Sequence, residues 1–169
     1  MNNFKNRGIE ASIPSKQTVE KMIQLIHRNL EELEEIAEII ANNSHRVAME
    51  EKKRLFYLGS LLYEFYLTVE DSMLIVARYI DRWVPYSLDW HERLLRIMQR
   101  SLPGQRPPLV SPAVSQMLEK YLYFYLSFER CSWLEGEKTW SLASEIEELY
   151  PLLKKDLQVF FQLYASILD

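Results

Sequence analysis

The sequence is poor in the residues that build most well-known chemical sites. It has one cysteine, Cys131, so no disulfide can form within the chain and no cysteine pair can hold zinc or iron. The four glycines do not have the spacing of a phosphate-binding loop. The three histidines lie on different segments, and none is part of a His-Glu-x-x-His pattern or follows a glutamate by three positions. The sequence therefore predicts no metal site and no cofactor.

Long apolar runs are also missing. The longest uncharged apolar stretches, residues 55–63 and 121–128, are far shorter than the about 20 residues that cross a bilayer. The polar first ten residues lack the apolar core of a signal peptide. We therefore expect no membrane span and a cytoplasmic location. The net charge of −4 gives no overall electrostatic footprint for nucleic acid, so charge alone neither indicates nor excludes RNA binding.

The composition is that of one folded domain over residues 1–169. Hydrophobic residues make up 48 % of the chain and charged residues 26 %, which is enough apolar material for a core. The seven prolines and four glycines are clustered, so most of the chain should form long uninterrupted elements. We expect residues 1–15 to be flexible and residues 101–110, which contain three prolines and a glycine, to form a loop.

Apolar residues recur at intervals of three and four in every long segment, and this pattern predicts helices. The expected helices cover residues 18–43, 49–82, 89–100, 112–128 and 144–168, of which the second is the most apolar and should be central. Ser111 before Pro112 predicts a helix start, as do the capping boxes that begin at Asp89 and Ser144. Pro151 should bend the last helix or mark its first turn. The pattern predicts an all-α, mostly antiparallel bundle of about five helices.

Basic and aromatic side chains are the remaining candidates for a site. Arg93, Arg96 and Arg100 follow one another at intervals of three and four, and Arg106 lies in the loop that follows. These four guanidinium groups could form one RNA-binding surface, although an exposed solubilising face is the more common explanation of such a set. His91 falls in the first turn of a predicted helix, where the helix dipole favours a neutral, hydrogen-bonded imidazole.

Several spaced motifs follow one another along this part of the chain. They are Gly59-Ser60-Leu61-Leu62-Tyr63-Glu64-Phe65-Tyr66, Val69-Glu70, Asp89-Trp90-His91, Leu94-Leu95, Met98, Arg106-Pro107-Pro108, Ser111-Pro112, Leu118 and Tyr121-Leu122-Tyr123-Phe124. The set resembles the HepT-like branch of the HEPN domains, which are helical ribonuclease toxins encoded beside a minimal nucleotidyltransferase antitoxin. The resemblance covers residues 18–124 and implies a HEPN-like antiparallel bundle.

The resemblance also implies an activity and partners. Members of this family are metal-independent endoribonucleases that form homodimers and are silenced by the nucleotidyltransferase. Their motif follows a segment like residues 121–124 and consists of an arginine, four to six residues, a histidine and often a tyrosine two positions later. The histidine handles the proton of the RNA 2′-hydroxyl and the arginine stabilises charge on the phosphorane.

This motif is degraded in the present chain. In the ungapped register, Tyr125 has the arginine position, Arg130 the histidine position and Ser132 the tyrosine position. No shift restores the pair, because no histidine follows His91 and Arg130 is the only arginine after Arg106. An arginine stays protonated at neutral pH and cannot act as a general base. We therefore expect a toxin homologue with little or no ribonuclease activity, and alternatively a non-catalytic helical module that binds RNA or a nucleotide.

Overall fold

Five α-helices make up most of the part of the chain that the structure describes. This structure is a computed structural model, and it describes residues 14–44, 50–130 and 134–168. The helices are α1 (Lys16–Ser44), α2 (Glu51–Val76), α3 (Trp90–Met98), α4 (Pro112–Ser127) and α5 (Gly136–Leu168). No β-strand occurs in these residues, where an isolated bridge between Leu102 and Arg106 is the one β-type pairing. The prediction of an all-α bundle of about five helices is confirmed.

Helix α2 is the centre of the bundle, as its apolar character predicts. It contacts α1, α3, α4 and α5, whereas α3 packs on α2 and α4. Its side chains Leu58, Leu62, Phe65 and Tyr66 are fully buried. A helix that is apolar around much of its circumference can bury all of that surface only when neighbours cover several of its faces. None of the described helices combines the length and hydropathy that crossing a bilayer requires.

Helix ends agree with the sequence patterns in one place and differ in two. Ser111 caps α4 as predicted, because its hydroxyl accepts a hydrogen bond from the Val114 N–H at 3.3 Å and Pro112 follows it. The Asp89 side chain makes no capping hydrogen bond to α3. The predicted cap at Ser144 is wrong, since α5 already begins at Gly136 and the Ser144 hydroxyl donates to the Trp140 carbonyl within the helix. Pro151 lies inside α5.

Helix α5 begins earlier than predicted because its first turns pack against the rest of the bundle. Thr139, Leu142 and Ala143 are buried, so packing against the bundle stabilises helical turns that precede the capping pattern. A polar residue with a glutamate three positions later is a start signal only where the preceding residues have no reason to be helical. Burial of the preceding turn therefore overrides the local signal at Ser144.

Two connections hold the ends of α3 in place. After α2 a π-helical turn, Ala77–Asp81, is closed by Arg82 in the left-handed conformation, with φ 54° and a hydrogen bond from the Trp83 N–H to the Ala77 carbonyl. The 101–110 segment is a loop, as predicted. Its turn at Gly104 also has a positive φ, which glycine adopts without strain, and it directs Arg106 back into the protein.

Candidate functional site between helices α2, α3 and α4

A buried carboxylate and an imidazole meet where α3 begins. Glu70 comes from the C-terminal half of α2 and its side chain is 3 % exposed, whereas the His91 side chain, in the first turn of α3, is 17 % exposed. His91 Nδ1 lies 2.5 Å from Glu70 Oε2. Burial raises the pKa of the Glu70 carboxyl above its ordinary value, and the hydrogen bond and charge of His91 partly offset that rise. The prediction that His91 is hydrogen bonded is confirmed.

Aromatic rings enclose this pair. The Trp90 ring stacks on the His91 ring with 3.7 Å between centroids, and Tyr125 meets His91 edge-on at 5.6 Å. Tyr125 also packs against Tyr66, with 5.3 Å between centroids. We call Glu70, His91, Trp90, Tyr66 and Tyr125 the Glu70–His91 cluster. Because its rings exclude water, the electrostatic interaction inside the cluster is stronger than at the surface.

Tyr66 brings a second polar group to the cluster. Its side chain is fully buried, and its hydroxyl has no hydrogen-bond partner within the described residues. Burial is the main cause that raises the pKa of the Tyr66 phenol, and the nearby charge of Glu70 raises it further. Tyr66 therefore stays neutral, and its polar atom is held among apolar neighbours at an energetic cost.

The family-motif positions lie at the C-terminal end of α4, next to this cluster. Tyr125 is half-buried within the cluster, and Arg130 is exposed at the end of a short 3₁₀ turn, Phe128–Arg130. Ser132 lies outside the described residues. The fold thus places the arginine position of the motif beside an imidazole that comes from a distant part of the sequence. The contacts of His91 within the described residues are with a carboxylate and aromatic rings, and none is with a cation.

Two of the four predicted RNA-binding arginines, Arg93 and Arg96, lie on α3, and a third, Arg100, lies just past the end of this helix at Met98. Arg96 and Arg100 are exposed. Arg93 is half-buried, with Nη1 donating to the Ser87 hydroxyl at 3.3 Å and its guanidinium 5.8 Å from the Trp83 ring centroid. These three arginines can present positive charge along α3 and just beyond its C-terminal end.

Arg106 does not join that surface, and the expectation of a four-arginine patch is wrong. Its side chain is fully buried and forms a two-pronged ion pair with Asp81, with Nε 2.6 Å from Oδ1 and Nη2 2.8 Å from Oδ2. Nη1 also donates to the carbonyls of Arg100 and Pro107. The turn at Gly104 directs Arg106 inward, and the planar guanidinium fits a carboxylate and several carbonyls at once. Arg106 ties the loop to the π-helical turn.

Sequence reasoning did not identify Glu70, Tyr66 or Asp81 as members of a site. One signal could have identified Glu70 from the sequence. It is a charged residue next to Val69 in a helix that is buried on several sides. Such a residue requires a partner, because an isolated buried carboxylate is strongly disfavoured. For metal ions, no group of three or more His, Cys, Asp or Glu side chains with suitable geometry occurs in the described part of the chain.

Comparison with known proteins identifies a related family. A family model described as HepT-like protein matches residues 57–164, which is more than half of the chain. The match includes most of α2 and α5, all of α3 and α4, and every member of the Glu70–His91 cluster. No curated protein and no solved structure matches the chain. The resemblance found in the motifs is thus confirmed over residues 57–164, whereas the expected range was residues 18–124.

Proposed function

The chain belongs to the HepT-like protein family, and on that premise we propose that it is a toxin homologue of a HEPN and nucleotidyltransferase pair with little or no ribonuclease activity. In this proposal the protein forms a homodimer in the cytoplasm and binds the nucleotidyltransferase antitoxin. The family match supports the toxin-type assignment, and the residues at the motif positions support the loss of cleavage.

One observation carries the proposal, namely the packing of Tyr125. Cleavage by the family's chemistry needs a cation beside the imidazole to stabilise the negative charge on the phosphorane. Tyr125 has that position and is held half-buried against the rings of Tyr66 and His91. A phenol can donate one hydrogen bond but has no positive charge. The imidazole that is present, His91, has its Nδ1 engaged by Glu70.

The second motif position leads to the same conclusion. Arg130 is exposed and its guanidinium keeps its protons at neutral pH, so it can bind a phosphate but cannot remove a proton from a hydroxyl. A general base must accept a proton at the operating pH, and proton transfer of this kind contributes roughly 10²-fold to 10⁴-fold to rate. The cation is therefore missing at the Tyr125 position, and the general base is missing at the Arg130 position.

Ribonuclease assays test this proposal. Purified protein is incubated with labelled transfer RNA and messenger RNA in EDTA, and we expect no more cleavage than with the His91→Ala variant. The double variant Tyr125→Arg/Arg130→His restores the residue types of the motif and serves as the matched comparison, in which cleavage should rise. Cleavage by the wild-type protein that Arg130→Ala or His91→Ala abolishes would overturn the proposal.

A second candidate function is a helical module that binds RNA or a nucleotide without reaction. The observation in its favour is the exposure of Arg96 on α3 and of Arg100 just past the end of this helix. Filter binding at several salt concentrations tests it, because contacts to phosphates weaken as salt rises. RNA retention that Arg96→Ala/Arg100→Ala removes would favour this function. Co-purification with a small nucleotidyltransferase would favour the first.

A further inference from the structure

A groove of about 580 Å³ opens between the end of α2 and the segment that leads into α3. It is lined by Leu74, Arg78, Val84, Pro85, Tyr86, Ser87, Leu88 and Trp90. Most of these side chains are apolar, and Arg78 is the one cation among them. The groove lies directly beside the Glu70–His91 cluster, because the Trp90 ring belongs to its wall and also stacks on His91.

The edge of this groove exposes large apolar side chains to an unusual degree. Tyr86 is 99 % exposed and Leu88 is 106 % exposed, and Trp83 beside them is 44 % exposed. Isolated exposed apolar residues are common, but several next to an apolar groove mark an interaction surface. Tyrosine, tryptophan and arginine are also the residues that protein–protein interfaces enrich.

The backbone holds these side chains in one arrangement. Pro85 is buried and anchors the middle of the segment, and a hydrogen bond from the Trp90 N–H to the Ser87 carbonyl closes its end. At the other end Arg82 is in the left-handed conformation, which disfavours residues with a Cβ and persists only where the surroundings enforce it. A preformed surface loses less conformational entropy when a partner binds.

Positive charge lies in and beside the groove. Arg78 is exposed and lines it, and Arg93 is bonded to Ser87 in the groove wall. Asp89 is an exposed acidic residue of the same segment, and its carboxyl pKa is lowered chiefly by a hydrogen bond from Ser87 and less by Arg93 and Arg96. The carboxylate of Asp81 is bound to Arg106 inside the protein. A complementary occupant is acidic.

We propose that this groove docks an acidic segment of a partner protein, with an apolar anchor side chain seated against Leu74, Val84 and Trp90 and carboxylates facing Arg78. On the proposed function, on which this inference rests, that partner is the nucleotidyltransferase. An apolar anchor with charged groups at the rim is the usual anatomy of a specific protein interface.

Other occupants fit the groove less well. In a two-fold interface with a second copy of the chain, the same surface meets itself, so two surfaces that carry Arg78 and Arg93 would face each other. The chain's own residues 1–13 contain Lys5 and Arg7 against one acidic residue, Glu10, so their charge has the wrong sign. RNA suits the arginines, but it has no aliphatic group to bury against Leu88 and Val84.

Binding measurements with matched variants test the inference. The probe is the purified minimal nucleotidyltransferase of the proposed pair, and its Kd for the full-length protein is measured by biolayer interferometry. Leu88→Asp and Arg78→Glu change exposed groove residues, whereas Val159→Asp and Lys155→Glu make the same kinds of change at exposed sites on α5. Circular dichroism and the melting temperature establish that every variant is folded.

We expect Leu88→Asp and Arg78→Glu each to raise Kd about tenfold or more, and the two α5 variants to bind like wild type. Raising the salt concentration from about 50 mM to about 300 mM should weaken wild-type binding and have little effect on Arg78→Glu. If the nucleotidyltransferase binds all variants equally, the docking site is wrong and the proposed function stands.

Two further outcomes identify a different occupant. If Leu88→Asp leaves nucleotidyltransferase binding intact but changes the mass measured by light scattering, the groove joins two copies of this chain and the inference is overturned. If the variant instead loses RNA in a filter assay, the occupant is RNA and the inference is likewise overturned. If the wild-type protein does not bind the nucleotidyltransferase at all, the partner in the proposed function is wrong and the inference fails with it.

Discussion

Glu70 and His91, which are 21 residues apart, lie 2.5 Å from each other and join the middle of the bundle to the first turn of α3. The contact places a carboxylate beside the N-terminal turn of a helix, where negative charge is favoured. It also fixes the ring of His91 against Trp90 and Tyr125, so one hydrogen bond organises both the motif position on α4 and the wall of the groove.

Removing the charge of Glu70 should change how stability depends on pH. Because burial raises the folded-state pKa of Glu70, the folded protein retains this proton at pH values where the unfolded chain has lost it. The resulting stabilisation is fully present below the unfolded pKa of about 4.5 and is lost as pH rises through the folded pKa. The Glu70→Gln variant cannot lose that proton. Its free energy of unfolding, from urea titrations between about pH 4 and pH 8, should therefore improve relative to wild type as pH rises.

The control for this series is Glu147→Gln, which neutralises an exposed glutamate of α5. Its difference from wild type should stay nearly constant with pH. A difference between Glu70→Gln and wild type that is also constant would show that Glu70 has the same pKa in both states.

Two buried tyrosines form a matched pair for measuring the value of a hydrogen bond. The Tyr121 hydroxyl donates to the Leu142 carbonyl at 2.7 Å, whereas the equally buried Tyr66 hydroxyl has no partner within the described residues. Tyr121→Phe should cost about 1 kcal/mol, because it removes a buried hydrogen bond. Tyr66→Phe should be neutral or stabilising. Urea denaturation of both variants measures the contrast, and equal losses in the two would contradict it.

The role of Arg106 can be separated from that of the exposed arginines Arg96 and Arg100. Arg106→Ala should lower the free energy of unfolding by about 4 kcal/mol, because it leaves the Asp81 carboxylate buried without its partner. The free energy of unfolding of Arg106→Lys should lie between those of wild type and Arg106→Ala, since an ammonium keeps the charge but cannot form the two-pronged contact. The exposed Arg100→Ala is the control and should stay within about 0.5 kcal/mol of wild type. Thermal and urea unfolding measure all three, and a small loss in Arg106→Ala would refute a structural role.

Periodicity predicted the helices because the same residues that repeat every three to four positions are those that the bundle buries. Val114, Leu118 and Tyr121 continue the pattern begun by the Ser111 cap and are buried on α4. Prediction failed at Ser144, where a local start signal lies inside α5 because buried neighbours extend the helix.

The sequence predicted which residue types stand at the candidate sites, but not which side chains contact each other there. The residues at the motif positions are readable without a structure, and the types of Tyr125 and Arg130 are the basis on which we propose that cleavage is lost. The pairing of Glu70 with His91 and of Asp81 with Arg106 was not readable, since each joins residues more than 20 positions apart on different elements. The spacing that placed Arg106 near Arg100 says nothing about which way a loop turns its side chain.

The sequence by itself determined where the helices form and which chemical groups are available. Helix formation depends on neighbours within a turn or two, and no folding can supply a histidine after His91. Only the tertiary structure decided that Arg106 is buried, that Tyr125 meets His91 and that Tyr86 and Leu88 face outward. These outcomes depend on how separate helices pack and how loops turn between them, because burial and contact arise from the whole bundle.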